Sequence, residues 1–391
     1  MAPSSDADEP NDVALSDPVT EDTTAPKKRS LISSTVTLTL PLPTLPFELI
    51  VEILSKLPMK SLMQFQCVCK SWKSLISDPK FAKKHLRVST KHHHFISTFP
   101  NSVMSYPLTS LFTDVTAIQL EYPLTQQYRR FERIVGTCNG ILCFQIDHDS
   151  VILWNPSIRK FTKLPCLDET PRLMYEYHYE FSFGYDHSSD SYKVVAIVYF
   201  INGNRVLKTL VKVQTLGTNS WRTIQDSPSG IFGEVSLGKF VCGTINWLAY
   251  RDMISSWNII SLDLEKESYL EIVQPDYGGV ILTSLELGEL RDCLCIFSRS
   301  DTFTDIWLMK EYGNKESWIK LFRVPDIRDF GYNPSVCAIY VSEDDQVLLE
   351  IESELFVYNS RDGTFKDLDI QNTNYVTRAQ IYHESLISPC F

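Results

Sequence analysis

Past residue 88 the chain repeats one local pattern at a nearly fixed period, and that period limits the folds open to it. A strand leads into a polar turn, and an aromatic residue opens the next strand. Trp154-Asn155-Pro156-Ser157 leads to Phe161; segments 214–220, 263–268, 310–317 and 358–364 lead to Trp221, Tyr269, Trp318 and Phe365. The last four aromatics stand about 48 residues apart. The intervals hold short β-rich runs, such as Tyr192-Lys193-Val194-Val195-Ala196-Ile197-Val198, bounded by Gly, Asn, Asp and Ser clusters. A unit of about four strands at this period is one propeller blade. A β-sandwich accounts for the short strands but not for the spacing. Five units are visible, with 95–122 and 376–388 left over at the two ends. Strands paired from both ends would close a ring and remove its free edges. That gives six blades, one of them shared; five is the alternative.

Residues 44–86 have a different texture. Pro46 suits a first helical turn, where its missing N–H costs nothing, and Glu48 favours the positive end of a helix. Leu49, Ile50, Ile53, Leu54 and Leu57 form one apolar face at helical spacing, which Pro58 ends. A second pattern runs through Leu62, Phe65, Cys69, Trp72 and Ile76. Asp78-Pro79 ends it and caps a last turn through Phe81 and Leu86. So small a helical module cannot bury this much apolar surface alone. It is either a cap on its own larger domain or a docking module whose apolar face belongs to a partner.

The stretch resembles an F-box. The residues that carry the resemblance are Leu45-Pro46, Glu48-Leu49, Glu52-Ile53-Leu54-Ser55-Lys56-Leu57-Pro58, Lys60-Ser61-Leu62 and Val68-Cys69-Lys70-Ser71-Trp72. F-boxes bind the small Skp-type adaptor of cullin–RING ubiquitin ligases. The resemblance implies that Leu45, Pro46, Ile50, Ile53, Leu54, Leu57, Pro58, Leu62, Val68, Cys69 and Trp72 form or support that interface, some of them as the module's own core. A second resemblance covers roughly residues 89–388. Gly136-Thr137-Cys138-Asn139-Gly140-Ile141-Leu142-Cys143, Trp154-Asn155-Pro156-Ser157-Ile158-Arg159-Lys160, Phe183-Gly184-Tyr185-Asp186 and Asp190-Ser191-Tyr192-Lys193-Val194-Val195 are similar to the F-box-associated domain of plant F-box proteins of the F-box/kelch-repeat type. That domain is a substrate-recognition domain. The paired glycines of a strict kelch repeat are mostly missing, which leaves the blade number open.

The expected fold is therefore α+β and multidomain. Residues 1–43 are an acidic, Ser/Thr/Pro-rich disordered segment. Residues 44–88 are a small all-α F-box of three short helices. Residues 89–391 are an all-β propeller of about six kelch-like blades. A net charge of −11 argues against a nucleic-acid-binding protein. Lys70, Lys73, Lys80, Lys83, Lys84 and Arg87 make a local basic strip, read as a solvated helix face or as complementarity to an acidic partner. Lys27-Lys28-Arg29 reads as a linker charge cluster or a short nuclear signal. No hydrophobic run is long enough for a membrane span, the start lacks a signal-peptide core, and both Asn-x-Ser/Thr matches carry Pro in the middle. With 10 Cys and no dense framework, a cytoplasmic or nuclear protein is expected.

Catalytic constellations are sparse. There is no Gly-rich phosphate loop, no His-Glu-x-x-His and no nucleophile elbow. His92, His93 and His94 are adjacent, and adjacent strand residues alternate faces. Cys67-x-Cys69 and Cys293-x-Cys295 have the wrong spacing for zinc. Asp147-His148-Asp149 reads as a turn. No metal, cofactor or catalytic residue is expected. The repeat aromatics read as blade-to-blade packing. Substrate contact is expected from the loops between blades, at 168–177, 225–236, 273–279 and 324–334. Tyr175, Tyr177, Tyr277, Arg328 and Tyr332 are the candidates, because Tyr and Arg are enriched at interface hot spots. The functional expectation is a non-catalytic substrate receptor of an SCF-type ligase, partnered by a Skp-type adaptor, through it by a cullin–RING scaffold, and by an unidentified target protein. The alternatives are an adaptor-bound scaffold or decoy, or a propeller enzyme with converging carboxylates or metal ligands in its channel.

Overall fold

A computed structural model describes residues 45–99, 102–121, 133–167, 176–202, 205–224, 237–251, 256–325, 335–352, 354–368, 370 and 380–390. The disordered reading of 1–43 and the basic cluster at 27–29 lie outside these residues.

The helical module has four helices where periodicity alone predicts three. They are α1 (Phe47–Ser55), α2 (Met59–Phe65), α3 (Lys70–Ile76) and α4 (Pro79–Val88). Pro46 stands just before α1, and its carbonyl accepts from Leu49 and Ile50 N–H at 3.1 and 3.2 Å. Pro58 starts α2 in the same way. The pattern from Leu62 to Ile76 is split in two because Cys69 is fully extended, with φ −158° and ψ 164°. Asp78 caps α4 as its spacing predicts: its carboxylate accepts from Lys80 and Phe81 N–H at 2.8 and 3.1 Å, with Pro79 next in the chain.

The remainder is six four-stranded antiparallel sheets arranged as blades. Blade 1 contains β1 (His93–Phe99), β2 (Ser102–Pro107) and β3 (Ile118–Leu120), with a short helix α5 (Leu108–Leu111) before β3. Blade 2 is β4 (Arg133–Cys138), β5 (Ile141–Asp147), β6 (Ser150–Asn155) and β7 (Lys160–Lys163). Blade 3 is β8 (Glu176–Asp186), β9 (Ser191–Asn202), β10 (Arg205–Thr215) and β11 (Arg222–Thr223). Blade 4 is β12 (Lys239–Val241), β13 (Thr244–Arg251), β14 (Ser256–Asp263) and β15 (Tyr269–Ile272). Blade 5 is β16 (Ser284–Leu290), β17 (Cys293–Arg299), β18 (Phe303–Met309) and β19 (Trp318–Pro325). Blade 6 is β20 (Val336–Val341), β21 (Gln346–Ile351), β22 (Glu354–Asn359) and β23 (Phe365–Asp367). The last strand, β24 (Gln380–His383), returns to pair with β1, with His383 opposite His93. Blade 1 is thus built from both ends of the sequence, and the count of six holds.

The first strands β4, β8, β12, β16 and β20 contact one another in sequence, and β24 completes the ring between β20 and β4. The repeat aromatics open the fourth strand of their blades. Trp221 donates its ring N–H to Pro165 carbonyl at 2.7 Å, and Trp318 donates to Val273 carbonyl at 2.9 Å. Each therefore clasps the connection from the preceding blade. Phe365 packs at a tilt against Tyr358, with ring centroids 4.7 Å apart, and the Tyr358 hydroxyl donates to Arg323 carbonyl one blade earlier. Phe161 departs from the pattern and stays 40% exposed.

The ring closes on one turn. Asn139 and Gly140, both at positive φ (52° and 78°), join β4 to β5 in the two-residue geometry that Asn-Gly favours. Ser385 donates its hydroxyl to Asn139 carbonyl at 2.7 Å. A Cβ on Gly140 would meet Ser385 Oγ at 2.4 Å and His383 carbonyl at 2.6 Å. Fully buried Asn155 donates its amide to Ser385 and Ile387 carbonyls at 2.9 and 2.7 Å. Gly140→Ala is therefore expected to lower the melting temperature well beyond Gly313→Ala. Gly313 has the same positive φ, 81°, but open space around its Cβ position, so only the left-handed strain of about 1–2 kcal/mol applies there. Thermal unfolding of the two variants side by side checks this.

Candidate functional site

The helical module has an inner and an outer apolar surface. Leu54, Met59, Leu62, Ile76, Phe81 and Ala82 are buried, and they belong to one continuous cluster with Val135, Ile141, Leu386 and Ile387 of the propeller. Ile50, Leu57 and Trp72 are partly buried against that cluster, with Trp72 edge-on to Phe65 at 5.4 Å. The resemblance-based set therefore divides. Leu54 and Leu62, at 2% and 0% exposure, are the module's own core and cannot touch a partner; Ile50, Leu57 and Trp72 support it. Leu45, Pro46, Ile53, Pro58, Val68 and Cys69 are exposed.

Helix α1 is apolar on its outer side as well. Phe47, Leu49 and Ile53 are each about half exposed (54%, 50% and 51%), and Val68 beyond α2 is 62% exposed. These apolar side chains are left uncovered by the described residues, beside the charged positions Glu48 and Glu52 of the same helix. Phe47 and Leu49 are absent from the set that the resemblance implies. The signal was present in the sequence, since Leu49 and Ile53 lie four residues apart on one helix face.

The module is tied down from the other side. His85 is 2% exposed, and its Nε2 meets Leu57 carbonyl at 2.8 Å. A carbonyl only accepts, so this nitrogen carries the proton. Burial holds the His85 pKa down, consistent with a neutral ring. Lys84 pairs with Glu52 at 2.7 Å, and Lys83 pairs with Asp190 in the turn between β8 and β9. Two lysines of the basic strip are thus internal ties, one of them from the helices to blade 3.

That turn is a small polar cluster. Lys193 Nζ lies 2.8 Å from Asp186, and both side chains are nearly buried. Ser189 hydroxyl and the N–H groups of Ser188 and Ser189 also donate to Asp186 at 2.6, 2.9 and 3.2 Å. Burial alone would push the Asp186 pKa up, but the Lys193 and serine hydrogen bonds outweigh it and hold it at about 2.

The blade topology separates two ends of the propeller. Each inner strand runs toward the end where its turn to the second strand lies, and the 187–190 turn that meets α4 is one of these. The chain also enters β1 from α4 at this end. The connections from each outer strand to the next inner strand open at the other end. All four expected substrate loops are such connections, so the described strand ends flanking them share the face away from the helices. Tyr175, Arg328 and Tyr332 lie outside the described residues. Tyr177 is half-buried on β8, edge-on to Phe200 at 5.2 Å. Tyr277 is half-buried over Trp307, and its hydroxyl donates to Gln274 at 2.9 Å. The most exposed apolar residue of that loop is Ile281, at 86%, just past the expected limits. Asp147-His148-Asp149 is a turn with local hydrogen bonds, as its composition predicts. Cys295 is fully buried and Cys293 packs against the same cluster.

Two measurements follow. Leu62→Ala is expected to cost about 2–5 kcal/mol in urea unfolding, because it opens a cavity in the shared core; Ile53→Ala should stay within about 0.5 kcal/mol. The Asp186 pKa is depressed by folding, so its stabilisation is fully present above the ordinary value of 3.8 and is lost as pH falls from there through about 2. The wild type should lose about 2 kcal/mol more than Asp186→Asn across that window, read from urea midpoints at each pH.

Residues 42–84 match the F-box domain family, and residues 95–389 match the F-box associated beta propeller domain family. An Arabidopsis thaliana F-box/kelch-repeat protein is 35% identical over 359 residues, which cover 88% of this chain and 96% of that protein. The Arabidopsis F-box protein CPR1 is 26% identical over 374 residues, covering 89% of each chain. With both domains matched in order along nearly its whole described length, the chain belongs to the plant F-box proteins that carry an F-box-associated β-propeller.

Proposed function

We propose that this chain is the substrate-recognition subunit of an SCF-type ubiquitin ligase. Its F-box docks on a Skp-type adaptor, and its propeller captures a target protein. The observation that carries this reading is the outer face of α1. Phe47, Leu49 and Ile53 stay half exposed although the opposite face of the same helix is locked into the core. An exposed apolar face of this kind marks a partner site, and the F-box match supports a Skp-type adaptor as that partner. The cullin–RING scaffold enters through that adaptor, and the bond-making chemistry belongs to the other subunits. This chain supplies proximity: tethering raises the effective concentration of a target near the conjugating enzyme. The loop-bearing end of the propeller, away from the helices, is the face offered to the target.

The test is a pull-down of the full chain with a purified Skp-type adaptor, beside a Leu49→Asp/Ile53→Asp variant. Both positions are exposed, so the fold is retained, while a charge buried unpaired in the interface costs several kcal/mol. Binding by the wild type and its loss in the variant, with unchanged circular dichroism, is the expected result. A wild type that fails to bind the adaptor overturns the reading. Leu57 and Pro58 are poorer probes, since Leu57 packs on the core and Pro58 starts α2.

A further inference from the structure

Between blades 1 and 2 lies a cavity of about 280 Å³, lined by residues of β1, β3, β6 and the segment after β24. Its size is at the small end of ligand sites, suited to one side chain rather than a cofactor. Its lining includes the apolar side chains of Ile118, Leu120, Trp154 and Pro156. The polar end holds Glu384, whose side chain is 30% exposed, and His94, at 10%. At the rim Glu121 and Arg159 pair at 3.0 Å, both largely in solvent.

Among the described residues the one basic group within ion-pair distance of Glu384 is His94 Nε2, at 3.9 Å. Burial, and then the charges of His92 and His93, hold the His94 pKa down at about 4, so the ring is neutral at physiological pH and supplies no charge. Its other nitrogen is engaged with Ser105 hydroxyl at 2.9 Å. Burial pushes the Glu384 pKa up, against a smaller opposing pull from His92. The Glu121–Arg159 pair cancels itself, so among the described lining residues Glu384 brings one negative charge without a cationic partner.

We propose that this cavity binds a basic side chain, lysine or arginine, presented by a protein partner. The methylene stem would lie along Ile118, Leu120 and Trp154, and the cationic head would meet Glu384. Long basic side chains divide between apolar and polar surroundings in this way, and a charge-assisted hydrogen bond to a half-buried carboxylate is among the stronger ones. The site lies at the end of the ring where α4 enters β1, opposite the loop face argued above, and does not rest on the receptor reading.

The experiment titrates N-acetyl-lysine methylamide into the purified full chain and follows saturation-transfer NMR. N-acetyl-norleucine methylamide, with a similar stem and no charge, is the control. The lysine amide should bind in the millimolar range, as befits so small a ligand, and Glu384→Gln should weaken it about tenfold or more. Glu384→Asp, which withdraws the carboxylate but keeps its charge, should weaken it less. Adaptor pull-down from the same preparations should be unchanged in both variants. No saturation by the lysine amide, equal binding of the norleucine amide, or an unchanged affinity in Glu384→Gln overturns the proposal. Loss of adaptor binding by the wild type with the cavity result intact would overturn the receptor reading alone.

Discussion

The fold depends on the seam where β24 joins β1. A ring of blades has no free edge only if this pairing is made, and here it is short, from His93–His383 to Ile96–Gln380. Side chains reinforce it. Asn155 holds the backbone of 385–387, and Ser385 reaches back to Asn139. Asn139 in turn donates to Tyr192 hydroxyl in blade 3 at 3.1 Å. An unmet Asn155 amide would be a buried polar group without a partner, which costs about 1–3 kcal/mol. The residues most characteristic of the family resemblance, Asn139-Gly140, Trp154-Asn155 and the 190–193 segment, are therefore fastenings of the ring. None of them needs a ligand to explain it.

The same seam supports the helices. Leu386 and Ile387 follow the closing strand directly and share the cluster that buries Leu54, Leu62 and Phe81. Lys83 adds a charged tie to Asp190, itself beside the Asp186–Lys193 pair. The helices and the blades thus share one packed core, with the helices at one end of the ring and the connections between blades at the other. Such a core deforms little.

Much of this was legible in the sequence. The blade period was visible because an aromatic stands at the start of the fourth strand in blades 2 to 6, and the shared blade followed from the leftover segments at both ends. The α1 face and the Asp78-Pro79 cap were plain from spacing. The break at Cys69 was not, because a helical period of three and four continues through it while the backbone does not. Nor could periodicity divide core from surface on α1. Leu54 is buried and Ile53 exposed through packing against residues more than 80 positions away, such as Val135 and Leu386. The cavity at Glu384 was invisible for a similar reason: its walls come from strands far apart in the chain. The tyrosines chosen as contact residues show the limit of composition. Tyr277 has a type suited to interfaces, yet its hydroxyl is already used within its own loop and its ring against Trp307 of blade 5.

The order of the seam has a consequence for biogenesis. As the chain leaves the ribosome, the helices emerge before any blade, and blade 1 emerges lacking its inner strand. Five further blades must appear before β24 arrives. Until then β1 presents an unpaired edge, and the floor beneath the helices lacks Leu386 and Ile387. Domains commonly fold in the order of their synthesis, but here an early blade is completed by a strand made much later. A nascent or prematurely stopped chain would expose apolar helix and strand edge together, the two features by which unfinished proteins are retained and cleared.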